Sequence, residues 1–109
     1  MKCGISAAMF EQVYEVIRER KQSSPEKSYV ASLMTKGTDA ILKKIGEESA
    51  EVIIAAKNKN RDEQIHEITD LCFHMLVLMV DQGLTPEDIS REFGKRFGKS
   101  GLEEKAQRQ

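Results

Sequence analysis

Thr38-Asp39-Ala40-Ile41-Leu42-Lys43-Lys44-Ile45-Gly46-Glu47-Glu48-Ser49-Ala50-Glu51-Val52-Ile53-Ile54-Ala55-Ala56-Lys57 is the stretch on which the fold turns. Ile41, Ile45 and Val52 fall on one arc when residues are set at about 100° each, the signature of an amphipathic helix. Thr38 has a hydroxyl suited to an N-cap, and Asp39 sets a negative charge in the first turn, where the helix dipole favours it. The stretch predicts a helix running to about Lys57. Asn58 to Asn60 then form a short polar link. A further helix is expected from about Asp62 to Gln82, stopped by Gly83. Two long helices joined by so short a link pack as antiparallel neighbours.

Outward from this pair the same logic applies. Ala7 to Arg20 reads as a helix, with Phe10, Val13, Tyr14 and Ile17 at i, i+3, i+4 and i+7, and Ser23-Ser24-Pro25 ends it. Ser28 to Gly37 reads as a connector with one helical turn. Thr85 caps a last helix, with Pro86 at its first position and Glu87 and Asp88 behind it; this helix carries Ile89, Phe93 and Phe97. From about residue 99 the chain is a polar tail. No strand-like alternation and no internal repeat compete with these assignments. The expected fold is all-α, a helical bundle of four main helices in a single domain over residues 1–109, completed by dimerisation. The run Leu71 to Val80 is apolar nearly all round its helix, more than one small subunit readily covers, which marks an interface.

Composition narrows the function classes. The chain has 109 residues, of which 39% are hydrophobic and 32% charged, too apolar for a disordered chain. A formal charge of −1 provides no basic field for nucleic acid or an anionic membrane, so a phosphate ligand needs a local basic cluster. Cys3 and Cys72 form neither a disulfide framework nor a zinc spacing, and Cys72 reads as a small buried hydrophobe. Met1 to Met9 lacks the apolar run of a signal peptide, and Leu71 to Val80, interrupted by His74, is too short to span a bilayer. These features lead us to expect a soluble, cytoplasmic protein.

The acidic residues are the informative ones. Glu48 sits at the edge of the apolar arc, roughly 40° from Val52, and Glu51 lies one turn from Glu47 and Glu48. On the following long helix Glu67, Asp70, His74 and Asp81 fall within about 60° of one another. Packed helices lie about 8–10 Å apart, so carboxylates on two facing stripes can meet around one hard cation. Mg²⁺ takes oxygen ligands and keeps water and substrate phosphate in its shell. Charged residues on a helix usually form a solvated face, and spacing alone carries the reading as far as a cation site. His74 is either a partner or proton carrier of this cluster or a hydrogen-bonded histidine near the core. His66 lies off the stripe and receives no role. Met75 and Met79 read as core. Lys43 and Lys44, one turn before Glu47, either meet phosphate oxygens or offset the acidic flank. Arg96-Phe97-Gly98-Lys99-Ser100-Gly101 combines cations, backbone freedom and a hydroxyl, as a phosphate-binding segment does.

Gly46-Glu47-Glu48-Ser49-Ala50-Glu51 followed by Glu67-Ile68-Thr69-Asp70 resembles the EExxE…ExxD signature of the all-α nucleotide pyrophosphohydrolase (MazG-like) superfamily. Within it, Ser28 to Leu33 with Lys36-Gly37, Ile41 to Ala56, and Ser100 to Lys105 resemble the phosphoribosyl-ATP pyrophosphatase family of histidine biosynthesis. The resemblance implies Mg²⁺-dependent hydrolysis of phosphoribosyl-ATP to phosphoribosyl-AMP and pyrophosphate, by an α-helical homodimer. Carried over by position, it implies that Glu48, Glu51, Glu67 and Asp70 hold the metal, with Glu47 beside them. Glu47 is the candidate for holding or deprotonating the attacking water, and Glu48 is grouped with it as catalytic. Lys36, Lys43, Lys44, Arg96 and Ser100 are the candidate substrate contacts. Two other functions remain open at this stage: a house-cleaning nucleoside triphosphate pyrophosphatase, and a non-catalytic helical dimerisation or metal-binding module.

Overall fold

The computed structural model describes residues 2–97, with side chains from residue 8 onward. Five helices and no strands occur among the described residues: α1 (Lys2–Arg20), α2 (Tyr29–Lys36), α3 (Thr38–Lys57), α4 (Arg61–Gln82) and α5 (Pro86–Phe97). The expected all-α fold is present, and α3 and α4 form its most extensive helix pair. Local chemistry sets most boundaries. The Asn60 side chain accepts a hydrogen bond from the Glu63 amide and opens α4, while Gly83, at φ 74°, closes it in the left-handed region that glycine adopts freely. Thr85 and Asp88 exchange side chain-to-backbone hydrogen bonds at the start of α5, a reciprocal capping pair.

Three local expectations need correction. Ser28 to Gly37 is more than a connector with one turn: it contains α2, two turns long. Ser28 caps it, its Oγ accepting the Ala31 amide at 3.2 Å, and Val30, Ala31 and Leu33 are buried. Apolar burial outweighs the poor intrinsic stability of so short a helix. Thr38, in turn, is not an N-cap. Gly37, at φ 104°, occupies that position between α2 and α3 and provides no side chain. The Thr38 hydroxyl instead donates to Asp81 Oδ2 at 2.8 Å, tying the start of α3 to the end of α4. Thr38 is already the first helical residue, so its hydroxyl is free to donate to a charged acceptor. The helix α1 also begins earlier than expected, at Lys2.

The core joins Tyr14 and Ile17 of α1, Val30 and Leu33 of α2, Ile41 of α3, and Leu76, Val77 and Val80 of α4. It therefore occupies the first half of α3 and the second half of α4. The Tyr14 hydroxyl donates to the Leu84 carbonyl at 2.7 Å and fixes α1 to the turn after α4. Beyond the core, the rest of the α3–α4 hairpin projects as an arm on which Ile53, Ile54, Ile65 and Ile68 are exposed, Ile53 by 63%. The expectation for α4 changes accordingly. Its run from Leu71 to Val80 is buried or half-buried within the protomer except at Met75, and uncovered apolar side chains lie instead on the arm and on α1 and α5, where Phe10, Phe93 and Phe97 are exposed.

Ile41 is fully buried, so Ile41→Ala should lower the unfolding free energy by about 3 kcal/mol, whereas Thr38→Val, which loses one hydrogen bond, should cost about 1 kcal/mol. Urea denaturation of the two variants checks the order.

Candidate functional site

Where the core ends and the arm begins, a carboxylate is taken out of water. Glu48, one turn after Ile45 on α3, is only 6% exposed. Facing it from α4 is His74, 5% exposed, whose Nδ1 lies 2.7 Å from Glu48 Oε1. The ring is held from two sides. Its Nδ1 lies 3.0 Å from the Asp70 carbonyl, one turn back, and its Nε2 lies 2.7 Å from the hydroxyl of Tyr29 on α2. The ring of Tyr29 stacks on Phe73 and meets His74 edge-on. The Nδ1–H aligns with the Asp70 carbonyl, so Glu48 Oε1, though close, accepts no aligned hydrogen bond and remains buried without a partner.

The other acids surround this point. Asp70, half-buried, has its Oδ2 3.3 Å from His66 Nε2, one turn back on the same helix. Glu47 is exposed and stands 3.9 Å from Lys44. Glu51 is exposed on α3, and Glu67 is half-buried on α4. Glu67 Oε1 is a second buried carboxylate oxygen without a partner. The electrostatics follow from these positions. Burial pushes the Glu48 carboxyl above its ordinary range, His74 opposes that, and the charge of Asp70 adds to it. The nearby Glu51 carboxyl, burial and the charge of Glu51 raise the Glu67 carboxyl above its ordinary range. Burial also lifts the Tyr29 phenol, with Lys44 opposing and Glu48, Asp70 and Glu47 adding to the shift.

The sequence-predicted acids are thus brought to one region across two helices, with different degrees of cover. Among the described residues, no three acidic, imidazole or thiol side chains are gathered closely enough to ligate one ion as they stand. Mutual repulsion keeps such carboxylates apart without a counter-charge. The donor set still fits a hard cation: all five groups offer oxygen, and two of those oxygens, Glu48 Oε1 and Glu67 Oε1, are buried without an aligned hydrogen bond. Lys44 lies half-buried at the edge of the cluster, with Lys43 exposed beside it. Lys36 is exposed at the last turn of α2. Arg96 is bound to Glu92 at 3.0 Å on α5, which packs on α1, so it is not brought to the α3–α4 acids within the protomer. Ser100 and the tail lie outside the described residues. Tyr29 had received no role from sequence; its place in a stretch of family resemblance was the available signal. The His66–Asp70 pair follows from i, i+4 spacing alone.

A sequence profile of the phosphoribosyl-ATP pyrophosphohydrolase family matches residues 10–97, which include every acid of the cluster. The chain belongs to this family. It is 52% identical to a phosphoribosyl-ATP pyrophosphatase of Methylococcus capsulatus over 100 residues, covering 92% of this chain and 95% of that protein. It is 51% identical to the phosphoribosyl-ATP pyrophosphatase of Geobacter metallireducens, covering 92% of each. As a phosphoribosyl-ATP pyrophosphohydrolase family member the protein is a hydrolase, and its buried acids are read in that light.

A carboxyl whose proton affinity is raised by folding stabilises the fold below its ordinary value, about 4.3 for glutamate, and that contribution is lost as pH rises through the folded-state value. With chelator present, Glu67→Gln should therefore melt close to the parent near pH 4 and above it at neutral pH. Thermal melts across that range check this. A variant melting well below the parent at neutral pH would make Glu67 a structural partner instead.

Proposed function

We propose that the protein hydrolyses phosphoribosyl-ATP to phosphoribosyl-AMP and pyrophosphate, the second step of histidine biosynthesis, with Mg²⁺ as cofactor. The observation that carries this reading is the pair of buried carboxylate oxygens without an aligned hydrogen bond, Glu48 Oε1 beside His74 and Glu67 Oε1, on facing helices of a chain in this family. Uncompensated buried charge is costly, and a divalent cation answers it. Glu48, Glu51, Glu67 and Asp70 would hold the metal, which when bound neutralises charge on the triphosphate and on the departing pyrophosphate. Glu47, exposed and next to Lys44, is suited to hold the attacking water and take its proton. Lys43 and Lys44 would meet phosphate oxygens; Lys36, Arg96 and Ser100 are further candidates for substrate contact. The whole chain acts as one domain in this scheme.

We also propose a homodimer in the cytoplasm. No single helix among the described residues is long and apolar enough to cross a membrane. The radius of gyration is 16.5 Å, against about 13 Å for a compact chain of 100 residues, and the projecting arm exposes four isoleucines. A second copy covering the arm would bury that apolar surface.

Pyrophosphate, with no orthophosphate as first product, should be released from phosphoribosyl-ATP in preference to ordinary nucleoside triphosphates, and chelator should abolish release. Glu48→Gln should lose at least about a hundredfold in turnover, since ligand loss removes several kcal/mol of transition-state stabilisation. Chelator-insensitive activity would end the metal assignment.

Sedimentation at micromolar concentration should find a dimer, and Ile53→Glu with Ile68→Glu should shift it toward monomer. A parent protein that sediments as a monomer would remove the dimer from the scheme.

A further inference from the structure

Three helices meet at one imidazole. His74 of α4 presents Nδ1 to two acceptors, the Asp70 carbonyl at 3.0 Å and Glu48 Oε1 at 2.7 Å. The Asp70 carbonyl can only accept, so Nδ1 carries a hydrogen. In the neutral ring Nε2 is then the lone-pair nitrogen, and the only complement offered at 2.7 Å is the Tyr29 O–H, which donates to it. The backbone of α4 and the phenol of α2 thus fix both the tautomer and the tilt of the ring. The fixed ring in turn presses its Nδ1 edge against a carboxylate that is buried on α3 and lacks an aligned hydrogen bond of its own.

We infer that Tyr29 and His74 are positioning residues for Glu48, setting the orientation in which its carboxylate meets the divalent cation. The inference rests on the metal site proposed above and deepens it. The arrangement has the logic of an outer shell around a metal: a ligand with free rotation about three side-chain bonds is narrowed to one orientation by groups that never touch the ion. An ordinary core histidine needs only to satisfy its two nitrogens. Here one of them is spent partly on a carboxylate that stays available, and the other reaches to a tyrosine whose ring is half-exposed at the site's edge. Tyr29 lies in α2, 19 residues before Glu48 and 45 before His74, and nothing in its local sequence requires a hydroxyl there. Its aromatic packing on Phe73 would be served equally by phenylalanine. The hydroxyl is the part that the positioning role explains.

The test uses the full-length protein without substrate. Mn²⁺ affinity is measured by electron paramagnetic resonance and Mg²⁺ affinity by calorimetry, well below the melting temperature, for the parent, Tyr29→Phe, His74→Gln and Glu48→Gln. Tyr29→Phe keeps the ring and removes one hydroxyl, so it stays interpretable if His74→Gln fails to fold. The expected result is a loss of metal affinity of about 10- to 100-fold in Tyr29→Phe, at least as large a loss in His74→Gln, and a turnover that falls in parallel. A parent-like affinity in Tyr29→Phe, while Glu48→Gln has lost the metal, overturns the positioning role and leaves the metal site intact. Parent-like affinity in Glu48→Gln as well removes the metal site itself, a separate failure.

Discussion

A carboxylate withdrawn from water between two helices has to be answered by something, and Glu48 imposes that demand on this fold. Its position one turn beyond Ile45 follows from the helical period, and the packing of α3 on α4 carries it inside. Of the ways to answer it, a direct salt bridge to Lys or Arg is not the one used. The neighbour is instead a histidine already committed to a backbone carbonyl and a tyrosine. The electrostatic demand of Glu48 is thus moderated without being met in full, and the same holds for Glu67. Sites that keep such a residual demand lose stability on their own and gain it with the ligand that completes them.

The division of the α3–α4 hairpin into two halves makes this tolerable. One half is packed into the core with α1 and α2, where Ile17, Ile41 and Val77 are fully buried. The acids lie near the middle of both helices, where that half gives way to the arm with its exposed isoleucines. The core and the acidic cluster therefore adjoin along the same two helices, with the charge at the margin of the packed half. The Thr38–Asp81 hydrogen bond at the packed end removes one acidic group of the α4 stripe from the site. Asp81 shares its face of the helix with Glu67 and Asp70, yet serves to hold the hairpin closed. Helical periodicity places residues on a face; position along the axis decides which of them act together.

The uncovered isoleucines of the arm belong to the same division. An acidic cluster facing open water would gain little from partial burial, because solvent screens it. Apolar neighbours that exclude water raise the cost of the unpaired charge and also raise the affinity for a cation that pairs it. Cover over the arm would strengthen both effects, which links assembly to the chemistry of the site through local dielectric alone.

What the sequence by itself determined was everything set within a few turns of helix. The extents of α3, α4 and α5 follow from periodicity, from Gly83 and from the Thr85-Pro86 start, and the placing of Glu47, Glu48, Glu51, Glu67 and Asp70 on two flanks follows from 3.6 residues per turn. Membership of the family was legible too, because the acidic spacing is itself local. Tertiary structure alone decided the partners that lie far apart along the chain. Thr38 reads as a cap until Asp81, 43 residues on, takes its hydroxyl. Tyr29 reads as part of a connector until His74, 45 residues on, meets it, and Tyr14 as core alone until its hydroxyl donates to the Leu84 carbonyl. The length of α2 belongs with these, since burial of Val30 and Leu33 by other helices sustains it. Local rules fix direction on a helix, whereas the depth of Glu48 and the choice among its neighbours depend on how separate helices pack, a sum of many long-range contacts that no short window of sequence contains.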